Sequence, residues 1–231
     1  RGFANTGSYT QNIQFDGLMG ATLKKAATSA ANVERLEFLK GPNSVLYGQM
    51  NPGGLLNIVT KDPKEIRATY VRTSLGTYAG EFTAPGTKNT FTTSVDTTGP
   101  VGNSKHLFYR LVVDAGSTPS SRPGFDHSVS VYPSLTYRWS PDTYLTVKGE
   151  SSKDTRQQDD GVIPIFTNGT AFGENATYYT APLKTIYQDS TDRGLDYGRA
   201  LAAFFQTRLG EWTLHIQSRS VWHVDQVREW S

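Results

Sequence analysis

The 231-residue chain contains no cysteine. That excludes a disulfide scaffold, thiolate-held zinc, iron–sulfur clusters and cysteine nucleophiles. Long hydrophobic runs are also missing. The longest, Ala200 to Phe205, has six residues, whereas a transmembrane helix needs about 20. Strands that cross a membrane as a barrel are not excluded, because they conceal their apolar residues by alternation. Charge of one sign is lacking too. Lys+Arg (23) and Asp+Glu (21) leave a net charge of +2, which gives no electrostatic footprint for nucleic acid. Hydrophobic residues (36%) and charged residues (19%) both fall below the usual share of a soluble domain. In their place stand Gly, Ser, Thr, Asn and Gln, while aromatics at 12% are too frequent for a disordered chain. The sequence opens at Arg1 without Met and stops at Ser231 inside a strand-like pattern, so a piece of a longer protein is expected.

Two regions meet near residue 63. In residues 1–63, Leu23 to Ala31 is Ala- and Lys-rich and predicts a short helix. Val33 to Leu39 and Leu55 to Val59 predict strands, with Pro52-Gly53-Gly54 as a turn before the second. The whole reads as a small α/β module.

Residues 64–231 instead alternate with period two, in six or seven segments. Trp212, Leu214, Ile216, Trp222 and Val224 share one face, with Thr213, His215, Gln217, Arg219 and Asp225 on the other. Val129, Val131, Leu135, Tyr137 and Trp139 stand in the same way against Ser128, Ser130, Thr136 and Arg138. The segments 126–139 and 212–225 each cover 14 positions, about 46 Å of strand at ~3.3 Å per residue. That is enough to cross a ~30 Å hydrocarbon layer even when tilted. Connections alternate short (Ser140–Asp142, Gly210–Glu211) and long (Thr77–Thr87, Gly116–Phe125, Thr155–Gly198), as outer-membrane barrels alternate turns and outer loops. A soluble carbohydrate-binding β-sandwich is the rival reading. It predicts short strands and polar outer faces.

The stretch from Asn32 to Pro63, with Glu34-Arg35, Glu37, Gly41-Pro42, Leu46-Tyr47-Gly48, Pro52-Gly53-Gly54 and Asn57-Ile58-Val59-Thr60-Lys61, resembles the end of the plug domain of TonB-dependent outer-membrane receptors. Arg1-Gly2-Phe3 and Phe15-Asp16-Gly17-Leu18 are similar to the earlier plug motif, and Phe108-Tyr109-Arg110-Leu111 to barrel strands of the ferric-siderophore branch. The resemblance implies a mainly β fold: a transmembrane antiparallel β-barrel of about 22 strands, around seven of them here, surrounding a small α/β plug. It assigns residues 1–63 to the plug and 64–231 to the barrel. It implies an outer-membrane receptor that imports ferric siderophores, energised by the TonB–ExbB–ExbD complex, embedded beside outer-membrane lipid and lipopolysaccharide, and monomeric. Cobalamin, haem or a saccharide would be the alternative cargo.

Within that resemblance, Arg1, Met19 and Gly20 are candidate siderophore contacts from the plug apex. In the third outer connection, Asp160 and Val162 match positions that are aromatic in ferrichrome receptors. An acid and an aliphatic there argue against ferrichrome as cargo, and Tyr178 and Tyr179 offer aromatic surface instead. Glu34, Arg35, Glu37 and Lys40 are expected to pair with charges on the barrel's inner wall, with Arg110, Asp114, Arg138, Arg219 and Asp225 as partners. No cofactor and no protein metal ligand are expected, because iron arrives as a finished chelate. No nucleophile elbow, His-Glu-x-x-His or Walker sequence occurs, so an enzyme is not expected.

Overall fold

A computed structural model describes residues 13–19, 29–39, 55–77, 89–118, 126–157, 165–166, 178–179 and 193–228. Two sheets carry the architecture. The smaller has the order β2-β1-β4-β3, from β1 (Ile13–Phe15), β2 (Leu18–Met19), β3 (Val33–Leu39) and β4 (Leu55–Thr60). Its centre is mixed: β1 runs parallel to β4, while β2 and β3 are antiparallel to their neighbours. Asp16 and Gly17 join β1 to β2 with φ of 51° and 81°. Positive φ at both central residues is what a type I′ hairpin requires, and Asp-Gly is among its preferred pairs. Of the expected helix Leu23–Ala31, only the end is described. There Ser29 caps a 3-10 turn, Ala30–Asn32, by accepting a bond from the Ala31 amide.

The larger sheet is a seven-stranded antiparallel meander. Its strands are β5 (Ala68–Thr77), β6 (Asn89–Pro100), β7 (Leu107–Thr118), β8 (Asp126–Ser140), β9 (Thr143–Gln157), β12 (Arg193–Leu209) and β13 (Trp212–Arg228). Between β9 and β12, β10 (Ile165–Phe166) pairs with β11 (Tyr178–Tyr179) as a separate two-stranded ribbon. The strands lengthen from 10 residues in β5 to 17 in β12 and β13. Each strand pairs with the next strand of this sheet along the chain, β9 with β12 across the segment that carries the β10–β11 ribbon, so the alternation of short turns with long connections is preserved.

Register decides what each face carries. Asp96, Val112, Tyr132, Thr146 and Ala202 fall on the face turned to the small sheet, and all are buried. Val95, Leu111, Leu135, Leu201 and Trp222 fall on the other and are exposed. The apolar side is therefore outside and the polar side within, the reverse of a soluble sandwich and the arrangement of a membrane barrel. Tyr137, Trp139 and Phe205 form an edge-to-face aromatic chain on the outward face beside the short turns, at centroid distances of 4.7 and 6.3 Å. Aromatic girdles mark a membrane interface in this way.

Candidate functional site: the seam between plug and wall

The small sheet rests on the polar face of the large one, and the seam is built on charge. Lys148 of β9 is only 8% exposed. Its ammonium donates to Asp16 Oδ2 (3.2 Å), Thr60 Oγ1 (2.9 Å) and Thr60 O (3.3 Å), and pairs with Asp62 Oδ1 (2.7 Å). Phe204 places its ring 5.4 Å from the same nitrogen. The Thr60 hydroxyl donates a hydrogen bond to Asp16 Oδ2 at 2.6 Å, and the Thr60 amide donates to Asp16 Oδ1 at 2.8 Å. Thus the hairpin that fixes β1 and β2 also delivers a carboxylate to the end of β4, and a wall lysine closes the group.

A second clasp lies one residue further on. Lys61 pairs with Asp96 of β6 at 2.8 Å. Arg110 of β7 grips the same carboxylate through two bonds, 2.8 and 2.7 Å, and its third nitrogen donates to the Asp62 carbonyl at 2.9 Å. A planar guanidinium can make such a bidentate grip and an ammonium cannot. Lys64 then donates its amide to Thr98 Oγ1. Residues 60–64 are therefore bound to the wall along their whole length. Elsewhere, Ser29 donates to Asp114 (2.8 Å) and its amide to Tyr132 (2.7 Å), while Arg219 lies 4.9 Å over the Phe15 ring as it holds Glu150.

Among the described residues, the partners of Glu34, Arg35 and Glu37 lie in the small sheet and its linker, and Lys40 lies outside the described residues. Glu34 pairs with Lys64 at 3.8 Å, Arg35 with Glu37 at 2.7 Å, and Glu37 with the Asn57 amide at 2.8 Å. These pairs stay within the small sheet and the linker that follows it. Asp16, Lys61 and Asp62 reach the wall instead. The reason is geometric: β3 is an edge of the small sheet, and its long side chains find partners on β3 itself, on β4 and in the linker before any wall strand. Of the expected wall partners, Arg110, Asp114 and Arg219 do touch this region, through Asp62, Ser29 and Phe15, and Arg138 pairs with Glu65. The Glu37 carboxyl is held below the ordinary carboxylate range, first by the Asn57 hydrogen bond and then by Arg35.

A cavity of 310 Å³ lies between the Arg35–Glu37 face and a wall that includes Tyr144, Lys148, Gln206, His215 and Gln217. A second, of 240 Å³, lies nearer the long connections among Ser29, Asp114, Ser130, Asp154, Asp196 and His223. Met19 ends β2, and Tyr178 and Tyr179 sit on the β10–β11 ribbon opposite Phe166 and Ile165. Arg1, Gly20, Lys40, Asp160 and Val162 lie outside the described residues.

Comparison with known proteins agrees with this architecture. Residues 1–55 match the family model of the TonB-dependent receptor plug domain. The metal-pseudopaline receptor CntO of Pseudomonas aeruginosa (strain UCBPP-PA14) is 29% identical over 195 residues, 83% of this chain and 25% of the relative. The ferrichrome outer membrane transporter/phage receptor of Escherichia coli (strain K12) is 34% identical over 145 residues, 62% of this chain and 18% of the relative. The chain thus spans about a quarter or less of these curated relatives. Among solved structures, the closed form of the ferric-catecholate import receptor Fiu from E. coli superposes with a TM-score of 0.73 at 18% identity, over 94% of this chain and 30% of that one. The ferripyoverdine receptor of the P. aeruginosa outer membrane gives 0.70 at 18% identity, over 96% and 30%. A polar-faced sheet clasping a small mixed sheet, the plug-domain match over residues 1–55 and these relatives agree: the chain is similar, over most of its length, to the plug and adjoining barrel strands of TonB-dependent receptors of the Gram-negative outer membrane.

Proposed function

We propose that the full-length protein imports ferric siderophores across the outer membrane, driven by the TonB complex. The carrying observation is a plug tied to the lumen wall by hydrogen bonds and ion pairs rather than by an apolar core. Such ties exchange with water as they break, so a pull can release them in steps, whereas an apolar interface resists as a unit. The outer membrane has no nucleotide pool, so the work must be delivered mechanically from the inner membrane. Relatives named for ferrichrome, ferrioxamine and ferripyoverdine support the cargo class. In this reading residues 1–63 are plug and 64–231 barrel, and the siderophore rests above the plug apex, touching Arg1, Met19 and Gly20 from below and Asp160, Val162, Tyr178 and Tyr179 from the third outer connection.

A second cargo is favoured by one observation: the similarity to the metal-pseudopaline receptor, a relative not named for iron. Titration of the purified full-length protein separates the two. Intrinsic Trp fluorescence should be quenched at nanomolar concentration by one class of ferric siderophore (hydroxamate, catecholate or mixed). Silence across that panel, with quenching by a non-ferric metal chelate, would keep the receptor and replace the cargo.

A further inference from the structure

The cations of the lumen wall differ in where their counter-charge comes from. Arg110 of β7 is held by Asp96 of β6, Arg219 of β13 by Glu150 of β9, and Arg156 of β9 by Asp196 of β12. Each of these pairs lies wholly in the wall and stays neutral whatever the plug does. Lys148 is placed differently. Among the described residues, its hydrogen-bond and ion-pair partners are Asp16, Thr60 and Asp62, all from the plug sheet and the linker that follows it. The wall itself offers the ammonium the Phe204 ring, 5.4 Å away.

The 310 Å³ cavity beside Lys148 is divided in the same way. Its carboxylates, Asp16, Glu37 and Asp62, belong to the plug and linker. Around Lys148 the wall contributes Tyr144, Gln206, His215 and Gln217, and no carboxylate among the described residues. With the plug half withdrawn, the wall half is a surface of hydrogen-bonding groups around one ammonium. Asp16, whose side chain is 9% exposed, is the buried partner and departs with the β1–β2 hairpin. Asp62 is tied to the wall by its carbonyl, but its side chain is 67% exposed, so that pair is screened by water and salt. The height is also specific. A strand rising ~3.3 Å per residue and tilted by about 40° climbs roughly 2.5 Å per residue along the membrane normal. Lys148 is level with Ala202, so it stands about 7.5 Å above Phe205 of the girdle, within an apolar band about 25 Å tall. That is the half of the lumen nearer the short turns, on the far side of the plug from the long connections.

We infer that Lys148 and the wall around it form a transit site for a metal chelate of net negative charge, covered at rest by the plug's own carboxylates and uncovered when the plug is displaced. The inference rests on the import proposed above and adds a second stop to its route. Charge complementarity selects the occupant. Asp16 takes in the closed state the place that an anionic chelate takes in the open one, and an uncharged chelate gains nothing from the ammonium.

Linkage supplies the test, because an anion that binds only the plug-released protein shifts the equilibrium towards release. Full-length protein in detergent is titrated with urea at constant ionic strength. Plug release is followed by a spin label on Phe38→Cys, an exposed position of β3, and the barrel's folding by heat-modifiable mobility. The probe is hexacyanocobaltate(III), an inert trianion, with uncharged cobalt(III) tris-glycinate as control. For a Kd of about 1 mM, ~10 mM trianion should raise the released-to-closed ratio about tenfold. The uncharged complex should leave the ratio unchanged. Lys148→Gln should abolish the shift, measured from its own midpoint, and Lys148→Arg should keep it. Since loss of Lys148 also loosens the plug, a wild-type readout stands beside the variants. At a urea concentration that frees the plug, the trianion should slow acetylation of Lys148, read by peptide mass spectrometry, and the uncharged complex should not. An equal shift with the uncharged complex, an undiminished shift in Lys148→Gln, or acetylation of Lys148 unslowed by the trianion would overturn the inference. The probe is not a siderophore, so silence in the fluorescence titration would count against the cargo alone and would not move this readout.

Discussion

Lys148 shows how much one side chain can organise. An ammonium has three protons, and here they are spread over Asp16, Thr60 and Asp62. Removing a charge from a buried group of this kind leaves its carboxylates uncompensated, at about 3–5 kcal/mol. Lys148→Met should therefore loosen the plug's β4 end without unfolding the barrel, read as faster amide hydrogen exchange at Thr60 while strand amides of β7 and β8 stay protected. Glu37 makes a smaller, titratable contribution. Its pKa is depressed in the folded state, so its stabilisation is complete above the unfolded value of about 4.3 and lost as pH falls through the folded one. Asn57→Asp deletes the donor and adds a second carboxylate beside it. The Glu37 titration, followed by carboxyl carbon NMR, should move upward. These residues were poorly legible in the sequence. Asp16 looks like a turn aspartate, Lys61 and Asp62 like a strand stop, and Lys148 like one of several strand charges. Their partners lie tens of residues away, and no local pattern records that.

Elements were far more legible, because their causes are local. The period-two faces of 126–139 and 212–225 became β8 and β13, extended by one residue in the first and three in the second. Asp16-Gly17 read as part of a motif, and its physical content is a hairpin with φ positive at both positions. Gly17→Ala places a Cβ at φ 81°, which should destabilise the β1–β2 hairpin by roughly 1–2 kcal/mol. The strain would reach the lumen, since Asp16 would no longer meet Lys148 squarely. A lowered midpoint for plug release in urea would report it. What the pattern could not give was the partner of each charged plug residue. Of the expected seam charges, Glu34, Arg35 and Glu37 lie on β3, an edge strand whose charged side chains pair with each other, with Asn57 of β4 and with Lys64.

Across the whole molecule, the outward face behaves as solvent-facing surface would in an oil. Leu201 is exposed and sits about 10 Å above the girdle residue Phe205. Leu209 closes β12 beside its turn. An arginine should cost about 2–4 kcal/mol at the first position and about 0–1 at the second. Equilibrium folding of Leu201→Arg and Leu209→Arg into bilayers would measure the difference. Equal effects would mean that the membrane band is not where the aromatic chain places it. That each strand has an apolar and a polar face was readable from alternation alone; which face turns outward was not. That the small sheet lies against the polar face required the three-dimensional arrangement.

The Lys148 clasp also bears on the order in which the protein is made. Each barrel hairpin pairs neighbours in sequence, so its loop closes early and locally. Asp16, however, waits for a lysine 132 residues later, and Thr60 for the same lysine 88 residues later. The first plug strands are thus held without their final partner until β9 has paired with β8. Newly made plug remains an unfinished passenger, most exposed to chaperones and proteases, through the synthesis of four barrel strands. Its Lys148 clasp closes only with the fifth.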